Sequence, residues 1–307
     1  MDLSILIVSW NTRDLLARCL ETVAAELASF APDAAETLVV DNASHDGSAA
    51  LVSERFPWAR LIVNDANVGF ARANNQAFAA AQGRYLLLLN PDTSLLPGAL
   101  RTLLEFLETH PAVGAVGARL LNPDGSLQPS CSPAPTLSRE LWRLFHLDVL
   151  RPYGIYAMSR WDTRQPRPVE VVQGACLLLR REALGDEELL DPRYFMYSEE
   201  VDLCYRIRRR GWQIYWVPTA QVIHYGGQST RQVATAMFLR LYEGKILYFR
   251  KLHGPTAARL YKAILLAAAL SRLLVSPLAW LQPAPQRHLN LARAGQYVQL
   301  LKALPRL

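Results

Sequence analysis

The 307-residue sequence has only four cysteines, Cys19, Cys131, Cys176 and Cys204, and no C-x-x-C pair among them. Their wide spacing argues against a zinc site or a disulfide framework and fits a reducing compartment. There is no G-x-x-x-x-G-K-[ST], and no G-x-G-x-x-G follows the first strand-like run, so a glycine-rich loop is not expected to cradle phosphates. The start, Met1-Asp2-Leu3-Ser4, lacks a basic n-region, and no cleavable signal peptide is expected. A long apolar stretch, Ala263 to Leu281, is interrupted by Arg272 and Pro277. It makes a poor spanning helix, which needs about 20 mostly apolar residues. No internal repeat and no low-complexity segment is found.

What is present is a folded composition, 51% hydrophobic and 20% charged, which excludes a disordered chain. The net charge of +6 conceals a division. From residue 236 onward there are 11 Lys/Arg against one acidic residue, Glu243; residues 1–235 hold 22 basic against 26 acidic. A mildly acidic body thus carries a basic tail, which points to an anionic partner for the tail.

Along the body, strand-like and helical runs alternate. Ser4–Ser9, Thr37–Val40, Arg60–Val63 and Tyr85–Leu89 read as buried strands, and Ala112–Val116 as a short one. Asp14–Leu27, Ser48–Phe56, Phe70–Gln82 and Ala99–Thr109 read as helices. Residues 122–168 are rich in proline and read as an irregular excursion suited to an acceptor site. Order returns over Val169–Arg180, a helix is expected from Glu199 to about Arg210, and strand follows over Gln213–Val217, leading to Val222–His224. This alternation implies an α/β fold, a mostly parallel sheet with helices on both faces. In such sheets ligands sit at the carboxyl ends of the strands. The polar clusters Trp10-Asn11, Asp41-Asn42, Asn64 to Asn67 and Asn90 to Asp92 fall at those ends. The tail from Thr235 has a helical pattern suited either to a basic amphipathic element on a membrane surface or to helices that pack on the catalytic domain with their charges on the solvated face.

Without a phosphate loop, a metal held by carboxylates is the other common way to neutralise a diphosphate. Asp92 suits that role, although Asn90-Pro91-Asp92 alone reads better as a turn and helix cap. Glu199-Glu200-Val201-Asp202 puts three carboxylates at a helix start, where acidic residues are ordinary for helix-dipole reasons. The aromatic approach Phe195-Met196-Tyr197 suits a buried pocket in which a carboxylate acts as a general base. His224 precedes a flexible Tyr225-Gly226-Gly227 turn; a lone histidine is more often structural than a ligand.

Together these segments resemble glycosyltransferase family 2, with its GT-A fold. The resemblance runs through Ile5–Asn11, Val39–Ser48, Asn67–Asn75, Leu88–Asp92, Gly174–Arg180 and Phe195–Trp212. Its closest flavour is that of bacterial rhamnosyltransferases of surface polysaccharide assembly. It implies a GT-A catalytic domain over residues 1–235 and a basic helical C-terminal extension over 236–307. It also implies that Asp41 contacts the nucleotide base, with Ser9 and Asn11 lining that pocket. Asn67 and Arg72 match positions near the base and the ribose or phosphate, and Asn90 and Gly174 complete the donor site. Asn90-Pro91-Asp92 stands at the family's D-x-D motif, so Asp92 would ligate Mn²⁺ or Mg²⁺, with Asn90 in place of the first acid. Glu200 matches the second acid of the family's E-D pair, the usual catalytic base, with Glu in place of Asp. Glu199 and Asp202 remain candidates, and His224 resembles the histidine that completes the metal site in some relatives.

The implied activity is an inverting transfer of a sugar, rhamnose being the type suggested, from a nucleoside-diphosphate sugar to a glycan or lipid-linked glycan acceptor. The expected place is cytoplasmic, peripheral at the inner face of the membrane, with the extension on anionic lipid and no nucleic-acid partner. Two other readings remain. A nucleotidylyltransferase would normally bring a glycine-rich loop and a basic residue after the first strand, and Trp10-Asn11-Thr12 offers neither. A non-catalytic membrane-surface binder would rest on the tail alone.

Overall fold

The computed structural model describes residues 1–227, 233–277 and 284–307. The chain divides into two compact units. The first comprises Met1–Ala134, Ala157–Phe195 and Glu199–Gln232.

Its centre is a mixed sheet. The strands are β1 (Leu3–Ser9), β2 (Ala35–Asp41), β3 (Arg60–Val63), β4 (Tyr85–Leu89), β5 (Thr93–Leu95), β6 (Val113–Leu121), β10 (Cys176–Arg180) and β11 (Gln213–His224). They lie in the order β3-β2-β1-β4-β10-β6-β11-β5, and β8 (Arg167–Pro168) pairs with β11. The β3-β2-β1-β4 half is parallel, as is β6 with β11. β10 runs antiparallel to both its neighbours, and β5 runs antiparallel to β11.

Every residue of β1 is buried, because helices cover both faces of the sheet. Leu3, Ile5 and Ile7 face a cluster with Leu16, Leu20 and Val23 of α1 (Arg13–Leu27), Leu51 and Val52 of α2 (Ser48–Arg55), and Leu100 and Leu103 of α4 (Ala99–Thr109). On the opposite side α3 (Phe70–Ala80) packs on β1 and β2. This is the expected α/β architecture. β3, β4 and α4 fall at the bounds read from sequence, since each is an uninterrupted apolar or amphipathic run between turn residues.

Three stretches differ from the sequence reading. Val169–Arg180 is not one ordered run: β9 (Val171–Val172) leaves the main sheet to pair with β7 (Cys131–Ser132), and the chain breaks at Gln173 and turns at Gly174-Ala175 before β10. Strand β6 extends past Val116 to Leu121, its far half paired with Gln221–Ile223 of β11. The proline-rich excursion holds a helix, α5 (Leu137–Leu144), whose N-cap Thr136 accepts at Oγ1 from the Arg139 amide at 3.2 Å.

Helix α5 belongs to the second unit, Pro135–Tyr156, Met196–Ser198 and Val233–Leu307. Its main elements are α7 (Ala234–Val275), bent at the non-helical Gly254 before Pro255, and α8 (Ala284–Ala303). The tail is therefore helical, as its pattern suggests. Residues 278–281 of the apolar stretch, Trp280 among them, lie outside the described residues. Among the described residues no helix is long and apolar enough to cross a membrane. Inside the unit, buried Glu140 accepts from Lys245 Nζ at 2.9 and 2.8 Å and from Tyr261 Oη at 3.2 Å. Burial works against its charge, but Lys245 and Arg143 hold the Glu140 pKa below its ordinary value.

Gly117 of β6 leaves the sheet face open where a Cβ would fall on Val172 Cγ1. Gly117→Ala is expected to destabilise the α/β unit by about 1–3 kcal/mol through overpacking, and Val172→Ala is expected to recover part of the loss. Urea unfolding followed by circular dichroism checks this; an unchanged midpoint in Gly117→Ala refutes the packing argument.

Candidate active site

Parallel register brings the strand ends to one edge. Ser9 of β1 pairs with Asp41 of β2, Asp41 with Val63 of β3, and Ile7 with Leu89 of β4. Beyond Ser9 the chain turns through Asn11, whose φ of 51° is left-handed, a conformation asparagine tolerates better than most residues. Asn11 binds the next loop twice: its amide donates to Ser44 Oγ at 2.9 Å, and its Oδ1 accepts from the His45 amide at 2.8 Å. Ser9 Oγ lies 3.0 Å from Thr12 Oγ1. Asp41 is buried; its Oδ2 accepts from the Ser44 amide at 3.0 Å, while Oδ1 has no hydrogen-bond partner among the described residues. A buried carboxylate oxygen left in that state is suited to a ligand's donor.

Asn42, which the sequence reading placed only in a polar cluster, ties this edge together. Its amide donates to the Ser9 carbonyl at 2.8 Å and its Nδ2 to Asn67 Oδ1 at 2.9 Å. Its Oδ1 accepts from the Val68 amide and from Asn64 Nδ2. Asn67 Oδ1 also accepts from the Gly69 amide at 3.0 Å. Gly69 has a φ of 87° and must be glycine, because a Cβ there would lie 2.7 Å from the Phe195 carbonyl oxygen. Arg72, exposed in the first turn of α3, donates from Nε to the Pro192 carbonyl at 3.3 Å.

The Asn90-Pro91-Asp92 turn joins β4 to β5. β5 pairs with β11 so that Thr93 faces His224, and this puts His224 beside Asp92. The Tyr225 amide donates to the Asp92 carbonyl at 2.9 Å, and His224 Nε2 lies 3.3 Å from Asp92 Oδ1, both side chains buried. The other ring nitrogen, Nδ1, lies 2.6 Å from Gln128 Oε1. Gln128 Nε2 donates to Asn122 Oδ1 at 2.9 Å and to the His224 carbonyl at 3.2 Å. With both amide hydrogens so used, Gln128 Oε1 is an acceptor and Nδ1 must be the donor. In the neutral ring Nε2 is then unprotonated, and it has no hydrogen-bond partner among the described residues.

With the ring neutral, two acceptors face each other across 3.3 Å, an arrangement a cation shared by them would satisfy. Among the described residues no set of three or more His, Cys, Asp or Glu could hold a metal. One carboxylate and one imidazole fit a divalent ion that takes further oxygens from a bound diphosphate. Gln128 escaped the sequence reading because it lies in the excursion, 96 residues from His224, and no local pattern marks it.

Three carboxylates stand at the start of α6 (Glu199–Arg209), and their surroundings differ. Glu199 is buried, and burial together with the Glu200 charge pushes its pKa well above the ordinary carboxylate value. Glu200 is half-buried, and a Cβ on Gly174 would lie 3.6 Å from Glu200 Cβ. The next residue, Ala175, accepts at its carbonyl from the Asn90 amide at 3.0 Å. The segment Gly174-Ala175 thus touches the Asn90 turn through one residue and neighbours Glu200 through the other. Asp202 is fully buried, and its Oδ2 accepts from Arg206 Nε at 2.9 Å. Arg206 in turn donates to the Leu189 carbonyl at 2.7 Å and to Glu187 Oε2 at 3.0 Å. Of the residues singled out in sequence, Asp92 with His224 and Gly174 with Glu200 are brought together, whereas Asp202 turns into an ion pair with Arg206.

Comparison with known proteins gives the setting. The model of the family described as "Glycosyl transferase family 2" matches residues 4–186. The N-acetylglucosaminyl-diphospho-decaprenol L-rhamnosyltransferase of Mycobacterium tuberculosis is 34% identical over 230 residues, 69% of this chain and 73% of that protein. Among solved structures, the mannosyltransferase PcManGT from Pyrobaculum calidifontis, in complex with GDP-Man and Mn²⁺, superposes with a TM-score of 0.57 at 20% identity. That likeness covers 98% of this chain and 86% of the other. S. aureus TarS 1-349 gives a TM-score of 0.54 at 14% identity over 100% and 92% of the two chains. At those identities the likeness is one of fold.

The Glu199 environment has a consequence for stability. A carboxyl with a raised folded pKa keeps its proton in the fold and loses it in the unfolded chain above the ordinary value of 4.5. Stability therefore drains away as pH rises from that value. Glu199→Gln is expected to melt higher than the native protein at pH 8, with the gap shrinking at pH 5. Thermal melts at the two pH values decide it: an equal gap at both contradicts the assignment.

Proposed function

The chain belongs to glycosyl transferase family 2, and on that premise we propose that it moves a sugar from a nucleoside-diphosphate donor to a hydroxyl of a lipid-linked glycan in surface polysaccharide synthesis, by one inverting displacement. Rhamnose as the sugar and a lipid-linked acceptor follow the name of the M. tuberculosis relative. The observation that carries the reading is the facing pair of acceptors, Asp92 Oδ1 and His224 Nε2, 3.3 Å apart beside the carboxyl ends of the parallel strands.

Asp92 and His224 are the proposed holders of Mn²⁺ or Mg²⁺; the mannosyltransferase PcManGT is in complex with GDP-Man and Mn²⁺. A cation bound there would offset the charge of the departing nucleoside diphosphate. Gln128 keeps the ring turned so that Nε2 faces the carboxylate. Asp41 receives the nucleotide base in the pocket lined by Ser9 and Asn11, with Asn67 and Arg72 toward the ribose and phosphate. Asn90 and Gly174 border the sugar.

Glu200 is the proposed base, taking the proton of the acceptor hydroxyl. Two features favour it over its neighbours. Glu199 is buried and its pKa is pushed well up, whereas Glu200 is only half-buried and so open to an acceptor hydroxyl. Asp202 is committed to Arg206 and anchors α6. Glu200→Ala is expected to lose transfer while nucleoside diphosphate with Mn²⁺ still raises its melting temperature. Asp92→Asn is expected to lose the Mn²⁺-dependent part of that rise. Native transfer by Glu200→Ala rules out the base; a Mn²⁺ effect that survives in Asp92→Asn rules out the metal site.

A membrane contact, at the cytoplasmic face, is proposed for the second unit. It holds 14 Lys/Arg against 3 Asp/Glu. On α7, Leu265, Ala268 and Ala269 are buried, whereas Leu266, Leu270 and Leu274 form an outward stripe, 43%, 46% and 80% exposed. Val149 and Leu150, at 84% and 80%, add a second apolar point. An apolar stripe amid basic charge suits anionic lipid, and no nucleic acid is proposed. The protein is expected to float with phosphatidylglycerol-containing vesicles and not with phosphatidylcholine alone, and Leu270→Glu with Leu274→Glu is expected to weaken flotation. Absence from both vesicle types sinks the proposal.

A further inference from the structure

Two consecutive residues ahead of α6 hold backbone that side-chain-bearing residues rarely adopt, Tyr197 with φ 70° and Ser198 with φ 72°. Such conformations persist where the surroundings over-determine them. Both residues belong to the second unit. There they meet Gly244, a buried glycine within α7. A Cβ on Gly244 would lie 2.5 Å from the Tyr197 carbonyl oxygen and 3.3 Å from Ser198 Oγ. Glycine inside a helix is unfavourable relative to alanine, and this close approach supplies the reason for it. The next residue of α7, Lys245, is ion-paired with buried Glu140, which fixes the rotation of the helix at Gly244.

We infer that Gly244 is a positioning residue for sugar transfer, seating the left-handed Tyr197-Ser198 turn from which Glu199 and Glu200 follow. The contact lies wholly within the second unit, and the chain itself carries it to the carboxylates, Ser198 being bonded to Glu199. The first turn of a helix has no preceding hydrogen-bonded turn to orient it. The dihedral angles just before it therefore set where Glu199 and Glu200 point. This inference rests on the reading of Glu200 as the base.

Gly244→Ala is expected to lower kcat roughly 10- to 100-fold, with nucleoside diphosphate affinity, read by calorimetry, unchanged. The acid limb of its kcat–pH profile is expected to move, which a packing defect alone does not cause. Gly295→Ala on α8, where an added Cβ meets nothing within 4 Å, is the control and should keep the native kcat. Adding Ser198→Gly to Gly244→Ala frees the backbone of the turn, so that the Tyr197 carbonyl oxygen, the atom nearest the added Cβ, can move aside, and it should restore part of kcat. A folded Gly244→Ala with native kcat and an unmoved acid limb overturns the inference, as does a loss that Ser198→Gly leaves untouched. If Gly244→Ala does not fold, Ser198→Val attacks the same turn, since a β-branched residue resists this φ; native kcat there also overturns it. Glu200→Gln in the same assay separates the two ideas: native transfer by that variant refutes the base, while the Gly244 comparison still reports on the turn.

Discussion

The antiparallel pairing of Thr93–Leu95 with Val222–His224 holds Asp92 against His224, and the polar arrangement of the site follows from it. Strand pairing sets backbone positions with little freedom, so the histidine ring reaches the carboxylate without a long flexible side chain. The Tyr225 amide on the Asp92 carbonyl locks the turn, and Gln128 locks the ring. The two acceptors are left facing each other in a buried setting, where unmet polar groups are costly. Under the proposed reading a cation with oxygens of the donor diphosphate would complete the pair, and metal affinity would then be coupled to donor affinity.

The other half of the chemistry depends on how one sheet serves two purposes. Its parallel half delivers Ser9, Asp41 and Asn90 to a common edge, each at the carboxyl end of its strand. The antiparallel β10 lies beside β4, so the residues just before it, Gly174 and Ala175, adjoin both the Asn90 turn and Glu200. Three carboxylates in one helical turn would repel one another if all were ionised. The structure separates them: Asp202 takes an arginine, Glu199 is buried with its pKa pushed up, and Glu200 stays half-buried. Their surroundings differ although their residue types are alike.

The second unit has its own logic. Its charged interior, Glu140 with Lys245, Arg143 and Tyr261, is costly to bury and is satisfied by several donors at once. That network holds the part of α7 around Lys245, where Gly244 meets the Tyr197-Ser198 turn, while the exposed Leu266, Leu270 and Leu274 lie beyond the break at Gly254.

Much of this was legible in the sequence, because buried strands are continuous apolar runs and polar clusters at their carboxyl ends stand out against them. The alternation of strand-like and helical runs was sufficient to state the α/β fold, and the ordered blocks from Ile5–Asn11 to Phe195–Trp212 the family resemblance and the candidate site. Other features depend on contacts between distant segments, and sequence spacing carries no trace of those. Only the tertiary structure decided that Asn42 clamps three loops, that Gln128 sets the tautomer of His224, and that Asp202 is spent on Arg206. Helix α5 was hidden by the prolines around it, and the break at Gln173 by the apolar residues on either side. Local sequence determined which segments form and which residue types they carry; long-range pairing and burial decided which carboxyl is buried, which meets an arginine and which ring nitrogen faces Asp92.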